Sequence, residues 1–379
     1  MTKRQAPGDI VPVMRPMLPD AERLLPYLRR IDAARLYSNF GPLTIEFQNR
    51  LVELFGVRAD GIVAASSGTA ALMAAILATA GPATPKRPFA LVPAFTFAAT
   101  AVAAERCGYR GYLVDVDPHS WMLDPERLVS HPALHQVRVV VVVAPFGRPV
   151  VQSPWLAFQK RTGVPVVIDA AASFDCVCDT PTQYFQELPT VLSFHATKSF
   201  ATGEGGCIVS TDAALVDRAA QALNFGFHMS RDSASASLNG KMSEYHAAVG
   251  LAELDGWAMK QEMLRRVAAC YREHLSRIII RPRFFAWPDI SGCYALHFCL
   301  GGDEVDRVQK ELRRAGVDFR FWYGMGLHSQ THFSNSPRDT VDVTESLGQR
   351  LIGLPTALDM PEEVVARVVT AIHAGLGGQ

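Results

Sequence analysis

Lys198 is the residue whose surroundings point most directly to covalent chemistry. It ends the stretch SFHATK (193–198), which lies between apolar runs, and the glycine-rich turn GEGG (203–206) follows it. A lysine removed from water has a lowered pKa, and its neutral amine can attack a carbonyl group to form an imine. Taken alone, Lys198 is explained equally well as an ordinary exposed loop lysine.

Asp169 is a second candidate, because it closes the apolar run Val164–Ile168 and precedes three alanines. A carboxylate at the end of a buried strand is costly unless a positive group meets it. A protonated pyridine nitrogen would be such a group. Taken alone, a capping or salt-bridged aspartate explains the position equally well.

A third candidate lies upstream, where Ser67, Gly68 and Thr69 follow the apolar run Ile62–Ala65 and precede a helical stretch. Small residues with free amides at a helix N-terminus can bind an anion, although a simple Ser/Thr helix cap is the commoner explanation. An imine-forming lysine, an acid for a pyridine nitrogen and a phosphate cradle are together what pyridoxal 5′-phosphate (PLP) requires. The combination predicts a PLP enzyme with its cofactor bound covalently to Lys198.

The elements that must position these residues are alternating strands and helices. Five consecutive valines, Val139–Val143, show no polar alternation, which is typical of a strand buried on both faces of a parallel sheet. Helical stretches such as Ile45–Phe55 separate the apolar runs, so the pattern predicts an α/β fold with a mainly parallel seven-stranded sheet between helices. The predicted strands are Ile62–Ala65, Phe89–Val92, Tyr112–Val114, Val137–Ala144, Val164–Ile168, Val191–Phe194 and Cys207–Val209.

After about residue 255 the pattern changes. The chain of 379 residues is long enough for two domains. We therefore predict a large domain at residues 1–255 and a small C-terminal α+β domain at residues 256–379. The predicted elements of the small domain are a helix at Met259–Ser276, short strands within Cys293–Leu300, a helix at Val305–Ala315 and a last helix with Pro361 in its first turn.

The composition is that of an ordinary soluble enzyme. Hydrophobic residues make up 49% of the chain, and 37 Lys and Arg balance 37 Asp and Glu, so nothing favours nucleic acid or a membrane as partner. The seven cysteines match no zinc pattern, which predicts reduced core thiols, no metal site and a cytoplasmic location. Lys3 and Arg4 precede no apolar stretch, which predicts that there is no signal peptide.

Longer stretches of the chain resemble a known family. The chain is similar to the DegT/DnrJ/EryC1/StrS sugar aminotransferases, which have the PLP-dependent transferase fold of type I, over roughly residues 35–375. The stretches that carry the resemblance are SNFGPLTIEFQNRL (38–51), SSGTAAL (66–72), VPAFTFAAT (92–100), VVIDAAAS (166–173), LSFHATKSFATGEGG (192–206), LNFGF (223–227), NGKMSEYHAAVGL (239–251) and RLIGLP (350–355).

The resemblance implies roles around the cofactor ring for four residues. Lys198 would bind PLP covalently and move a proton between substrate and cofactor. Asp169 would keep the pyridine nitrogen protonated. Phe97 would stack on one face of the ring, and Ala171 would pack against the other.

The resemblance also implies how the phosphate is held. Gly68, Thr69 and Ser193 would bind it from one subunit. Asn239 matches an asparagine that reaches the phosphate of the neighbouring subunit, so the resemblance implies a homodimer with shared active sites.

The chain departs from the family pattern at positions that face cofactor and substrate. Ala172 stands where the family usually has Gln or His near the cofactor's ring oxygen, so that polar contact is missing or supplied elsewhere. Arg320 matches the first of two adjacent arginines, but Phe321 replaces the second. His328 matches the Pro-Leu-His pattern, although Gly326 replaces its proline. We expect Arg320 and His328 to bind substrate.

The stretches SFHATK, NFGF and NGKMSE are most similar to enzymes that aminate C4 of a dTDP-4-keto-6-deoxyhexose, the viosamine type. The resemblance implies transfer of an amino group from L-glutamate to such a nucleotide-linked ketosugar. Amination at C3 and UDP- or GDP-linked sugars stay open, as do a PLP-dependent sugar dehydratase and a non-catalytic regulatory protein. Whether the amino sugar enters lipopolysaccharide, another glycan or an antibiotic is not decided by the sequence.

Overall fold

The structure, a computed structural model, describes residues 10–278 and 283–377 of the chain. Lys3 and Arg4, on which the absence of a signal peptide was predicted, lie outside the described residues. Within the described part, no helix is both long enough and apolar enough to cross a lipid bilayer.

A seven-stranded sheet forms the centre of the fold. Its spatial order is β1-β7-β6-β5-β4-β2-β3, and β7 is antiparallel to both of its neighbours while the other pairs are parallel. This confirms the predicted mainly parallel sheet. The strands are β1 (Ile62–Ala65), β2 (Phe89–Pro93), β3 (Arg110–Val114), β4 (Val137–Val143), β5 (Val166–Asp169), β6 (Thr190–Ser193) and β7 (Gly206–Val209).

Helices cover both faces of this sheet. Val139 and Val141 of β4 belong to one hydrophobic cluster, and Val140 and Val142 belong to another, so successive residues of the strand are buried on opposite faces. The helices of this part are α1 (Ala21–Ala34), α2 (Pro42–Phe55), α3 (Gly68–Ala80), α4 (Ala98–Arg106), α5 (Pro125–Val129), α6 (Ser153–Thr162), α7 (Phe174–Val177), α8 (Pro181–Tyr184), α9 (Ala213–Leu223) and α10 (Glu244–Asp255).

The C-terminal part contains a smaller antiparallel sheet in the order β10-β9-β8 and has a hydrophobic cluster of its own. The last helix begins one residue later than we predicted, because Pro361 has an extended backbone and serves as its N-cap. The elements are α11 (Trp257–Ser276), β8 (Phe284–Phe285), β9 (Ala295–Phe298), α12 (Gly302–Arg314), α13 (Asp342–Arg350), β10 (Leu351–Leu354) and α14 (Glu362–Gly375).

The N-terminal segment lies against this C-terminal part. Isolated β-bridges join Val11 to Val317 and Met14 to Thr356. The segment was predicted to belong to the large domain, and the division into residues 1–255 and 256–379 stays a prediction.

Candidate active site

The carboxyl ends of β1, β2, β4, β5 and β6 lie at one edge of the sheet, because these strands point the same way. Ligand sites of open α/β sheets gather at such an edge. A cavity of about 410 Å³ opens there, within the size range of small-molecule sites. Its lining includes Ser67, Gly68, Thr69, Thr96, Phe97, Thr100, Asp169, Ala171, Ala172, Ser193, Lys198, Tyr294, Arg320, Trp322 and Tyr323.

Lys198 reaches the cavity from the loop that follows β6. The loop is closed by main-chain hydrogen bonds, among them one from the amide of Lys198 to the carbonyl oxygen of His195 at 2.9 Å. The Lys198 side chain is half-buried, and its Nζ donates a hydrogen bond to the hydroxyl oxygen of Tyr294 at 3.3 Å. The amine is therefore directed into the cavity rather than into solvent.

Asp169 is the last residue of β5, and its side chain is buried at the bottom of the cavity. Its Oδ2 accepts a hydrogen bond from Thr100 at 2.8 Å, and its Oδ1 accepts one from the amide of Ala171 at 3.2 Å. Burial raises the pKa of Asp169, while these hydrogen bonds and the charge of Lys198 act in the opposite direction. The ionised form of a buried carboxyl group is stabilised by a cationic partner.

The first turn of α3 forms one wall of the cavity. Ser67 caps this helix by accepting a hydrogen bond from the amide of Ala70 at 3.0 Å. The cap that the sequence suggested is therefore present. The amides of Gly68 and Thr69 stand at the first two helical positions, where the helix itself supplies no acceptor. A Cβ atom on Gly68 would lie only 2.7 Å from Cβ of Ser193, so the helix and β6 approach this closely only with glycine there.

Phe97 and Ala171 approach the cavity from different elements. Phe97 is the N-cap residue of α4 and is 63% exposed, so its ring has a free face. Ala171 follows β5, and Ala172 after it also lines the cavity. Ala172 belongs to a hydrophobic cluster with Phe146 and Tyr294. The structure thus brings the position of the family's Gln or His to the cavity wall, where this chain has a methyl group.

Two predicted site residues lie away from this cavity. Asn239 is exposed, and its Oδ1 accepts a hydrogen bond from Nζ of Lys241 at 2.9 Å. The Nε2 atom of His328 lies 3.2 Å from Oε1 of Glu345. The roles given to Asn239 and His328 stay predictions.

The backbone near His328 explains why glycine replaces the family's proline. Gly326 has a φ of +95°, and its amide donates to the carbonyl oxygen of Tyr323 at 3.1 Å. Proline has a fixed negative φ and no amide hydrogen, so it cannot occupy this backbone. Arg320, in contrast, does line the cavity, and its guanidinium lies 5.2 Å from the ring centre of Trp322.

Several polar residues of the cavity were not predicted from the sequence. Thr96 and Thr100 are four residues apart within the quoted stretch VPAFTFAAT, and their hydroxyl oxygens lie 2.9 Å apart. Their spacing could have suggested a joint role. Tyr294 and Tyr323 come from the C-terminal part, far along the chain from Lys198, and no local pattern marks them.

A second cluster of polar residues lies outside this cavity. The side-chain atoms of His297, Cys299 and Glu304 that could bind a metal ion lie within 4.8 Å of one another. However, Arg283 already donates to Oε1 of Glu304 at 3.1 Å, so the carboxylate has a cationic partner. We keep the prediction that the chain has no resident metal.

The residues around the main cavity fit PLP chemically. PLP offers an aldehyde, a pyridine nitrogen and a phosphate. The cavity offers an amine on Lys198, a buried carboxylate on Asp169 and the amides of Gly68 and Thr69 at a helix N-terminus. The close approach of Gly68 to Ser193 provides a narrow cradle that a side chain would fill.

Comparisons with known proteins agree with this assignment. Residues 20–373 match the DegT/DnrJ/EryC1/StrS aminotransferase family. Protein Rv3402c of Mycobacterium tuberculosis is 32% identical over an alignment of 381 positions, which covers 96% of this chain and 89% of that protein. The dTDP-4-amino-4,6-dideoxy-D-glucose transaminase of Shigella dysenteriae is 30% identical over 243 residues, 64% of each chain.

A solved structure extends this similarity to the fold. The crystal structure of DesI in the presence of its TDP-sugar product has a TM-score of 0.84 and 30% identity, and the match covers 97% of this chain and 94% of that one. These findings confirm the predicted family, fold and enzyme class. The chain belongs to the DegT/DnrJ/EryC1/StrS aminotransferase family and is a PLP-dependent aminotransferase of fold type I.

Proposed function

We propose that this enzyme transfers an amino group from L-glutamate to C4 of a dTDP-4-keto-6-deoxyhexose. The observation that carries the proposal is the convergence of Lys198, Asp169 and the first turn of α3 on one cavity. Similarity to a dTDP-amino-sugar transaminase and to DesI, whose structure was solved with a TDP-sugar product, supports the choice of nucleotide and sugar.

Lys198 and Asp169 would carry the proton chemistry. When bound, PLP supplies an electron sink for the carbon next to the transferred nitrogen. Lys198, whose amine points into the cavity, would hold the cofactor and later move a proton to or from that carbon. Asp169 would keep a proton on the pyridine nitrogen, which also gives its buried carboxylate a cationic partner.

The other cavity residues would orient cofactor and substrate. The amides of Gly68 and Thr69, with the hydroxyl of Ser193, are suited to a phosphate. Phe97 would cover one face of the ring and Ala171 the other, which also excludes water.

Arg320 would bind an anionic group of a substrate, since a guanidinium forms paired hydrogen bonds with carboxylates and phosphates. L-Glutamate and the nucleotide both carry such groups. His328 is proposed as a further substrate contact, although in this structure its side chain is bonded to Glu345.

We also propose a homodimer, because Asn239 is exposed and matches the asparagine that, in the family, reaches the phosphate of the neighbouring subunit. Phe225 and Met229 are exposed in the preceding loop, and Nζ of Lys241 lies 4.3 Å from the centre of the Phe225 ring. In the dimer, Asn239 would reach the phosphate bound to the partner subunit.

Mixing two inactive variants tests the dimer. In a mixture of Lys198→Ala and Asn239→Ala chains, each heterodimer would combine both changes in one site and leave the other site intact. We expect PLP retention and activity to recover on mixing, and sedimentation to show a dimer at assay concentration. An active, PLP-loaded monomer would rule out the shared site.

A cytoplasmic location is part of the proposal. All seven cysteines are free thiols, which is typical of proteins in a reducing compartment.

The function is tested by mass spectrometry of the products formed from dTDP-, UDP- and GDP-linked 4-keto- and 3-ketosugars with L-glutamate. We expect the aminated dTDP-4-keto-6-deoxyhexose to form fastest. Loss of water from the sugar would identify a dehydratase, and absence of any reaction would favour a regulatory protein. Lys198→Ala should abolish transfer and the visible absorption of covalently bound PLP, whereas Lys310→Ala, at an exposed position on α12, should keep both.

A further inference from the structure

Tyr294 stands immediately before β9 and is held rigidly at the cavity. Its amide donates to the carbonyl oxygen of Ser291 at 3.0 Å. Its ring packs edge to face against Phe146 and Trp322, with ring centres 5.4 Å apart in both cases. These contacts leave the hydroxyl group as the end of the side chain that reaches the cavity next to Lys198.

The hydroxyl group of Tyr294 has an unused donor. Its oxygen accepts the hydrogen bond from Nζ of Lys198 at 3.3 Å. Among the described residues, no protein acceptor receives the hydroxyl hydrogen of Tyr294. Burial holds the pKa of Tyr294 well above its ordinary value, so the hydrogen is retained at neutral pH. A buried donor without an acceptor is unfavourable, and a ligand oxygen would satisfy it.

The chemistry of PLP supplies such an oxygen at this place. Its ring carries an oxygen on the carbon next to the one that bears the aldehyde. When the Lys198 nitrogen is joined to the aldehyde carbon, this ring oxygen is the nearest cofactor acceptor to that nitrogen. A hydroxyl group that already contacts Nζ is therefore well placed to donate to it.

We propose that Tyr294 donates a hydrogen bond to the ring oxygen of PLP and so sets the protonation of the cofactor bound to Lys198. The side chain of Ala172, which also lines the cavity, has no donor to compete for this oxygen. The inference rests on the proposed function, because it requires PLP on Lys198. Tyr294 thus controls the ionic state of the bound cofactor in addition to packing against its neighbours.

Removing the Tyr294 hydroxyl group should change the proton affinity of the bound cofactor in one direction. A donor to the anionic ring oxygen withdraws charge from it and weakens its attraction for a proton on the adjacent nitrogen. Without the donor, the nitrogen holds its proton to higher pH. Tyr294→Phe should therefore raise the pH midpoint of the visible absorption change of bound PLP by about one unit, a tenfold change in proton affinity.

The test is a spectroscopic pH titration of purified wild type, Tyr294→Phe and Tyr323→Phe. Tyr323 also lines the cavity, but its hydroxyl accepts from the amide of Phe146 at 3.3 Å and makes no hydrogen bond with Lys198. We expect a shift for Tyr294→Phe and none for Tyr323→Phe. Urea unfolding without PLP checks that each variant is folded.

A second pair of variants separates contact with the ring oxygen from contact with Lys198. In Lys198→Ala and Lys198→Ala/Tyr294→Phe, PLP is bound without the covalent link, and its absorbance titration reports the ring oxygen directly. We expect the double variant to bind PLP about tenfold more weakly and to ionise at higher pH.

Each outcome has a separate meaning. If wild type shows no visible band, or the band is not bleached by L-glutamate, the proposed function fails. If wild type behaves as proposed but Tyr294→Phe keeps the wild-type midpoint, the inference about Tyr294 is overturned. It is also overturned if the two Lys198→Ala proteins titrate alike, because Tyr294 would then act only through Lys198.

Discussion

The hydroxyl group of Thr100 donates a hydrogen bond of 2.8 Å to Oδ2 of Asp169, and the hydroxyl oxygen of Thr96 lies 2.9 Å from that of Thr100. Because the hydrogen of Thr100 is used by Asp169, Thr96 must be the donor in the second bond. The two threonines belong to the loop before α4 and to its first turn, so they connect this helix to the end of β5. They support the ionised, oriented form of a buried carboxylate.

Thr100→Val should shift the acid limb of the activity profile to higher pH. A donor to a carboxylate favours the charged form, so its loss raises the pKa of Asp169 beyond the increase that burial already causes. A hydrogen bond to a charged group is worth about 1.5–3 kcal/mol, which corresponds to about one to two pH units. The profile of kcat against pH measures the shift. Thr96→Val, one bond further away, should move it less, and identical profiles for all three proteins would contradict the role of Thr100.

Gly68→Ala should weaken PLP binding strongly while leaving most of the fold intact. The added Cβ would lie 2.7 Å from Cβ and 2.9 Å from Oγ of Ser193, and these atoms belong to a buried strand end that cannot yield easily. Gly302→Ala is the matched control, since Gly302 also stands at the first position of a helix and a Cβ there meets nothing within 4 Å. Equilibrium dialysis with PLP compares the two. Equal affinities would show that Gly68 does not shape the phosphate cradle.

Much of the central sheet could be predicted because its strands are continuous apolar runs. The run Val139–Val143 lies within β4, and Asp169, predicted to follow a strand, is the last residue of β5. The direction of β7 could not be predicted, because a short apolar run such as Cys207–Val209 does not indicate whether the strand is parallel or antiparallel to its neighbours.

Some residues of the candidate site could likewise be predicted from the sequence, and others could not. Lys198, Asp169 and Gly68 could be found because each follows its own strand, and strand direction brings such positions to one edge. Tyr294 and Tyr323 could not, because their approach to Lys198 depends on how the C-terminal part packs against the sheet. Such contacts between distant parts of the chain leave no periodic signal in the sequence.

Asp175→Asn should destabilise the protein by about 1–3 kcal/mol. The Asp175 carboxylate is buried and accepts hydrogen bonds from Ser199 at 2.8 Å, from Ser291 at 2.7 Å and from the amide of Gly292 at 2.7 Å. It thereby joins the neighbour of Lys198 to the loop that precedes Tyr294. An amide group presents only one acceptor oxygen, so one of these donors would face the new NH₂ group.

The free energy of unfolding in urea measures the effect of Asp175→Asn. Asp179→Asn is the matched control, because Asp179 is half-exposed and its ion pair with Arg265 is of the surface type that contributes little. We expect a much smaller change there. Equal stability of the Asp175→Asn protein and wild type would mean that this buried carboxylate does not hold the two segments together.

His297 should make the stability of the protein fall in mildly acidic solution. Its side chain on β9 is fully buried, and burial lowers its pKa from 6.5 to about 4, against the effect of the nearby Glu304 carboxylate and with that of Arg283. The unfolded chain therefore binds a proton near pH 6.5, whereas the folded chain stays neutral down to about pH 4. Between these values the unfolded state binds more protons, so stability is lost as the pH falls.

Each unit of pKa difference corresponds to about 1.4 kcal/mol, so the loss should approach about 3 kcal/mol by pH 4. Urea unfolding of wild type and His297→Gln at a series of pH values between 7 and about 4 measures it, since all other titrating groups are common to both proteins. Glutamine does not titrate, so the stability of wild type relative to His297→Gln should fall as the pH is lowered. A constant difference across this range would show that His297 is not held in its neutral form by the fold.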